Sequence, residues 1–481
     1  MIDAPAFPAL EVRARAREGT ARAFPPRERY GHSVIGSGTR ACLSGTASGT
    51  QGGAREELDD LRLVPPVFMP RRLEKLVELG REPMHTDVNT STFVGGFLSP
   101  LPLFVSALGS TAVSGADLGE CVAHQAGRLG LPVVLGENIV PVSGYGRSGE
   151  AHRSLLSRLH RYCAALPEGL GGVAVQQSTQ DADAEVWNLV YSDPSAAVLL
   201  DSGRLAFELK VGQGAKPGLG GMTVIGAEAA AALADRFSLD SIFGDVEGTR
   251  GEMLRCASPG TFTRDILRQQ IRLMRNNFPR AKVWVKLHPG RDVCEAAEVC
   301  WEAGADAVTV DGAEAGTGWA PLAFLDHVGL PLLDCLRELG RRSGSECLLA
   351  SCRMWEGARI VKTLALGARA AGLGRAAFLA VDENREAGLI RLVECIDLEI
   401  RLLVSALGKY DCAELGPEDL WPAPVLSVSA HAPFDCAKGR QPGEMPRDVK
   451  GHEKENERLE KEDDSALERL RTGIEQPEQS S

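Results

Sequence analysis

Three stretches hold the residues whose types and spacing could do chemistry. "ELKVGQGAKPGLGGM" (208–222) sets Lys210, Gln213 and Lys216 among five glycines, "VKLHPG" (285–290) carries Lys286 within an apolar run, and "DGAEAGTG" (311–318) joins two carboxylates to three glycines. Glycine allows backbone conformations and close approaches that a Cβ forbids, so glycines beside lysines after an apolar run suit a ligand bound by backbone and cation together. A long surface turn has the same composition. Lys286 has apolar neighbours, and a buried charge needs an anionic ligand or a partner such as Glu208 or Asp311. In 311–318 the glycines could present N–H groups to an oxyanion or a ring edge, while Asp311 and Glu314 equally suit helix caps.

The elements that must position these residues follow from periodicity. Short apolar runs read as buried strands at 103–107, 132–136, 172–176, 206–211, 282–287, 307–310, 347–351 and 370–374. Between them, segments such as "FTRDILRQQIRLMRNNF" and "GARIVKTLALGA" repeat apolar residues at helical spacing. Strands apolar on both faces and alternating with helices predict parallel pairing, and eight such units predict a (β/α)₈ TIM barrel of the α/β class. Such a barrel places its ligand site at the carboxyl ends of the strands, with phosphate held after the seventh and eighth. Polar and glycine residues gather at those ends: "SALGSTAVSG" with Ser106 and Gly109, "GENIVPVSGYG" with Gly136 and Glu137, and "QQSTQ" with Gln176. Arg353 in "SCRMWEGARI" and Gly374 with Arg375 in "GLGRAAF" follow strands seven and eight, where an arginine and helix-terminal amides suit a phosphate monoester. Either arginine also fits an ordinary surface position.

Composition bounds the rest. The 481 residues carry 53 Lys and Arg against 65 Asp and Glu, a net charge of −12, which disfavours nucleic acid as a partner. Twelve cysteines without a CxxC pair suit reduced thiols, and no run of about 18 apolar residues suits a membrane span, so a cytoplasmic location is expected. Residues 1–84 read as an irregular extension with one short helix at "PRRLEKLVELG", 85–412 as the barrel, and 413–481 as an extension ending in a charged, disordered tail.

The three stretches, with Lys216, Lys286 and Asp311 spaced 70 and 25 residues apart, closely resemble the FMN-binding synthase domain of the glutamate synthase family. "FVSALGS" is similar to that family's first flavin loop, and the resemblance covers about 100 to 410. It implies FMN at the barrel mouth, with hydride passing between flavin N5 and an imino or amino acid related to 2-oxoglutarate. Lys216 would then contact the 2-oxo acid and Lys286 the flavin ring, making these the two candidate catalytic residues. Arg236, twenty residues after Lys216, would take a substrate carboxylate, with Gln213 and Met222 beside the substrate; Arg236 also fits a solvated helix position. Ser106, Gly109, Gly136, Glu137, Gln176, Asp311, Gly316, Thr317, Gly318, Gly374 and Arg375 would line the cofactor.

Departures from the family pattern temper these expectations. Met222 stands where the family has glutamine, and "SCRMWEG" replaces a glycine-rich phosphate loop. In the stretch 378–412 after strand eight only Cys395 and Cys412 are present, too few for the family's three-cysteine run, so no iron–sulfur cluster is expected. Electrons and ammonia are expected from a separate electron-donor or amidotransferase subunit, and a homo-oligomer is compatible with the sequence. Flavin-dependent oxidation of an amine or 2-hydroxy acid, and a non-catalytic flavin-binding subunit, are the alternative functions.

Overall fold

The structure, a computed structural model, describes residues 7–24, 57–67, 83–108, 117–136, 149–178, 186–212, 214–215, 223–226, 230–231, 234, 238–241, 253–256, 263–315 and 321–421. Eight parallel strands close a barrel: β1 (Leu103–Leu108), β2 (Val133–Leu135), β3 (Val173–Ser178), β4 (Leu205–Lys210), β5 (Lys282–Leu287), β6 (Ala307–Val310), β7 (Leu348–Ala350) and β8 (Ala370–Leu373). Each pairs with its sequence neighbour, and β8 closes on β1 through Gly372 opposite Phe104. The predicted TIM barrel is therefore present, with all eight strands where the apolar runs place them.

The strands read as continuously apolar because both faces are covered, but the two faces have different partners. Outward residues such as Val105, Val175, Phe207, Val285 and Val310 join one large core beneath the surrounding helices. Inward residues Phe104, Val134, Ala174, Ala206, Trp284, Ala307, Leu349 and Ala370, one from each strand, form a second, smaller cluster. A hairpin of Thr92–Val94 and Phe97–Ser99 completes that cluster with Val94 and Phe97 and plugs the amino-terminal end of the barrel. Its Gly95–Gly96 turn has φ of 54° and 88°, as a two-residue hairpin loop with the strand's own twist requires. A Cβ on Gly95 would fall 2.3 Å from the Trp284 indole, whose Nε1 donates to Gly95 O at 3.0 Å.

Two features depart from the sequence expectation. The amino-terminal segment holds a helix, α1 (Ala9–Glu18), packed against α2 (Arg375–Glu383) and α3 (Gly388–Ala406). Half of α1 is charged, so it shows little amphipathic period; its anchor is the buried Arg15, which donates to both oxygens of Glu399 at 2.8 and 2.7 Å. Arg62–Leu63 pairs with Leu420–Trp421, joining the segment ahead of the barrel to the last described residues. Between β4 and β5 the chain adds a three-stranded antiparallel sheet of Thr223–Ile225, Ser238–Asp240 and Met253–Cys256, strands too short to leave a periodic signal. The expected helix at "PRRLEKLVELG" and the tail from 422 lie outside the described residues. Among the described residues no helix is long and apolar enough to cross a membrane.

Candidate functional site

Successive inward positions along a strand are two residues apart. One such step from the apolar ring toward the carboxyl ends changes the chemistry on every strand: Phe104 gives way to Ser106, Val134 to Gly136, Ala174 to Gln176, Ala206 to Glu208, Trp284 to Lys286, Ala307 to Thr309, Leu349 to Ser351 and Ala370 to Gly372. Six polar side chains and two glycines thus follow an apolar floor. These polar groups are buried: Lys286 and Ser106 are 4% exposed, Gln176 2%, Glu208 and Thr309 1%.

Burial forces these groups to pair. Lys286 Nζ lies 3.1 Å from Asp311 Oδ2 at the end of β6. Gln176 Nε2 donates to Glu208 Oε2, Thr309 Oγ1 donates to Glu208 Oε1 at 3.2 Å, and the Ser106 and Ser351 hydroxyls share a hydrogen bond. Two carboxyls thus surround one ammonium. Burial raises the Glu208 and Asp311 carboxyls above their ordinary values despite the opposing pull of Lys286. One step beyond Lys286, His288 is held below its usual value by burial, so its imidazole favours the neutral form.

The carboxyl ends of β7 and β8 make a second cluster. Arg375 opens α2 behind Gly374, and no side chain caps that helix; a Cβ on Gly374 would meet no atom within 4 Å. Arg353 has φ of 50°, the one positive φ outside glycine among the described residues. Both guanidiniums lie over the ring of Phe7, Arg353 at 5.7 Å and Arg375 at 5.2 Å from its centroid.

Of the sequence-predicted residues, Ser106, Gly136, Gln176, Lys286, Asp311, Gly374 and Arg375 fall at the carboxyl ends of the strands. Gln213, Lys216, Met222, Arg236, Gly109, Glu137, Gly316, Thr317 and Gly318 lie outside the described residues. The alternatives for the 311–318 acids resolve differently. Asp311 pairs with Lys286, whereas Glu314 accepts from Leu332 N at 3.1 and 3.2 Å and so caps the helix Leu332–Arg342. Thr309, Ser351, His288 and Phe7 were not singled out from sequence. The first two were recoverable from their two-residue offset from small or apolar inward positions. Phe7 lies 346 and 368 residues from the arginines it touches, and nothing local marks it.

Three observations bear on whether a flavin mononucleotide fits. Gly136 leaves one strand without a side chain at the level of the polar ring, whereas the space beside Gly372 is filled by Phe104 and Ser351; a buried lysine faces the same interior, and an uncapped helix start with two arginines stands at β7 and β8. A planar ring with a phosphate tail matches that division of polar groups. Among the described residues no group of three or more His, Cys, Asp or Glu side chains could hold a metal ion.

The conserved region in glutamate synthase matches residues 143–386, just over half of the chain, so the protein belongs to the glutamate synthase family. A glutamate synthase large subunit-like protein of Rhizobium meliloti is 33% identical over 187 residues, covering 37% of this chain and 40% of that protein. The archaeal glutamate synthase [NADPH] of Methanocaldococcus jannaschii is 31% identical over 189 residues, covering 37% and 34%. The matches thus span well under half of these relatives' length. A mutant flavocytochrome b2 solved with pyruvate bound aligns at 16% identity over 82% of this chain and 85% of its own, with a TM-score of 0.48.

Proposed function

We propose that the protein is an FMN-dependent oxidoreductase of glutamate synthase type, acting at the C–N centre of an amino or imino acid related to 2-oxoglutarate. The observation that carries this is the change of all eight inward positions from apolar to polar or glycine at one level, with Lys286 held there by Asp311. A structural core would continue apolar; a buried ring of this polarity is costly unless it serves a ligand.

FMN, when bound, supplies hydride transfer at N5. The protein's residues bind and orient around it. Lys286, positive and fixed by its ion pair, would lie against the ring edge where negative charge develops on reduction, and Gln176, Ser106 and Asp311 would supply directed hydrogen bonds. Gly374 and Arg375 would take the phosphate. In the glycine-rich stretch after β4, Lys216 would polarise the substrate carbonyl or imine, with Gln213 and Met222 as further substrate contacts, and Arg236 would clamp a carboxylate by its planar fork. Ammonia and reducing equivalents would come from partner subunits.

Anaerobic titration tests the assignment. A chain loaded with FMN and chemically reduced should be reoxidised by 2-oxoglutarate with ammonium, with return of the yellow absorbance. Reoxidation by neither component, together with bleaching of the oxidised form by a 2-hydroxy acid, would transfer the protein to hydroxy-acid oxidation.

A further inference from the structure

We propose that α1 is a strap, latched by charge, that opens as a unit while the barrel stays folded, and whose closure holds the loop after β7 at the barrel mouth. The strap is independent of the identity of any ligand.

The latch is ionic. Arg13 and Arg17, four residues apart on one face of α1, meet α2: Arg13 pairs with Asp382 at 2.5 Å and Glu383 at 3.2 Å, and Arg17 with Glu383 at 2.6 Å. Arg15, between them, turns to α3 and takes both oxygens of Glu399, while Arg391 Nη1 donates to Arg17 O at 3.1 Å. Apolar burial is slight beside this, since the buried apolar residues of α1 are one valine and two alanines, Val12, Ala14 and Ala16. Hydrophobic stabilisation scales with apolar area, so such a helix gives up little of it on leaving, and segments with few buried apolar contacts open below the free energy of global unfolding.

Closure reaches the mouth through Arg15. Its guanidinium lies 5.1 Å from the Trp355 ring centroid, and Glu399 Oε2, which it binds, accepts from Gly357 N at 2.7 Å. Trp355 and Gly357 belong to "SCRMWEG", between β7 and the helix Gly357–Ala365, at the end where a barrel of this kind keeps its ligands. Phe7, two residues ahead of α1, lies against Arg353 of the same loop, whose φ of 50° needs surroundings that hold it.

Cys395 lies beneath the strap and records its opening. It is 0% exposed, Arg15 Nη1 donates to its Sγ at 3.5 Å, and Glu11 and Arg22 of the amino-terminal segment are among the charges around it. Burial pushes its thiol up to about 11, and Arg15 opposes that rise. Removing the Arg15 charge with the strap still shut would therefore make the thiol less reactive, so a faster reaction reports opening.

Alkylation by iodoacetamide, quantified by peptide mass spectrometry on the full wild-type chain and on Arg15→Met, tests the strap. Cys300 in the helix Val293–Glu302 and Cys335 in the helix Leu332–Arg342, both 0% exposed, report global unfolding in the same samples. Raising salt to about 1 M, where the screening length falls to roughly 3 Å, should speed alkylation of wild-type Cys395 by at least about threefold, and Arg15→Met should speed it by at least about tenfold, with both reporter cysteines unchanged. Hydrogen exchange of the variant should show residues 353–358 losing protection together with α1. Cys395 reacting only in step with Cys300 and Cys335, in salt and in the variant, would mean that α1 opens only with the whole fold and would overturn the strap. An exchanging α1 beside a fully protected 353–358 segment would overturn its hold on the loop.

Discussion

Two rings of side chains inside the same barrel, two residues apart on every strand, have opposite chemistry. The lower is Phe104, Val134, Ala174, Ala206, Trp284, Ala307, Leu349 and Ala370, sealed by the Gly95–Gly96 hairpin. The upper contains Ser106, Gln176, Glu208, Lys286, Thr309 and Ser351, all buried; Ser106 pairs with Ser351, Gln176 and Thr309 donate to Glu208, and Lys286 pairs with Asp311 just beyond. Because backbone geometry is shared, the difference lies in what each ring stabilises. The floor supplies apolar burial, roughly 25 cal/mol per Å². The upper ring gives up that term and adds desolvated charge, the cost that underlies the proposal of a ligand there.

Substitutions separate the two rings, and the largest effect belongs to the floor. Trp284→Ala removes the largest fully buried side chain and the donor to Gly95 O, and should lower stability by about 3–5 kcal/mol, read by denaturant unfolding. Lys286→Met should approach the same cost near neutral pH, about 3–5 kcal/mol, because two buried carboxyls lose their cation. Unlike the tryptophan variant, it should recover in acid as those carboxyls protonate. A loss equal at all pH values would mean that Lys286 contributes packing alone.

Glu208→Gln should act in the opposite direction. The folded Glu208 carboxyl titrates above its unfolded value, so from the ordinary carboxylate range upward the folded chain binds more protons and stability falls as pH rises. Below that range both states are protonated and the effect vanishes. The glutamine variant should flatten this slope and gain about 1 kcal/mol near neutrality, measured as melting temperature against pH. The smallest effect is expected far from both rings: Arg17→Ala, breaking a half-exposed pair with Glu383, should cost about 0.5 kcal/mol or less and fade in salt.

The contrast also explains what the sequence disclosed. Strands such as "KVWVKL" were legible because both faces are buried, and Lys286 stood out as a charge set between apolar neighbours. Its partner was not legible, since Glu208 and Asp311 were equally available and only the closed barrel shows that Asp311 makes the ion pair. The alternation within "LAFELK", small alanine then glutamate on one face, held the ring in plain view but needed the fold to say which face was inward. The plug hairpin and α1 escaped notice for different reasons: the first is built from three-residue strands, the second is fastened through Arg13, Arg15 and Arg17 to Asp382, Glu383 and Glu399, partners more than 360 residues away.

The central claim is that the upper ring exists to hold a flavin. Titration of the purified wild-type chain and of Lys286→Met with FMN, followed by visible absorbance and by the shift in melting temperature, tests it most directly. One FMN per wild-type chain, a raised melting temperature and much weaker binding to the lysine variant is the expected result; a wild-type chain that neither binds nor is stabilised by FMN would contradict it.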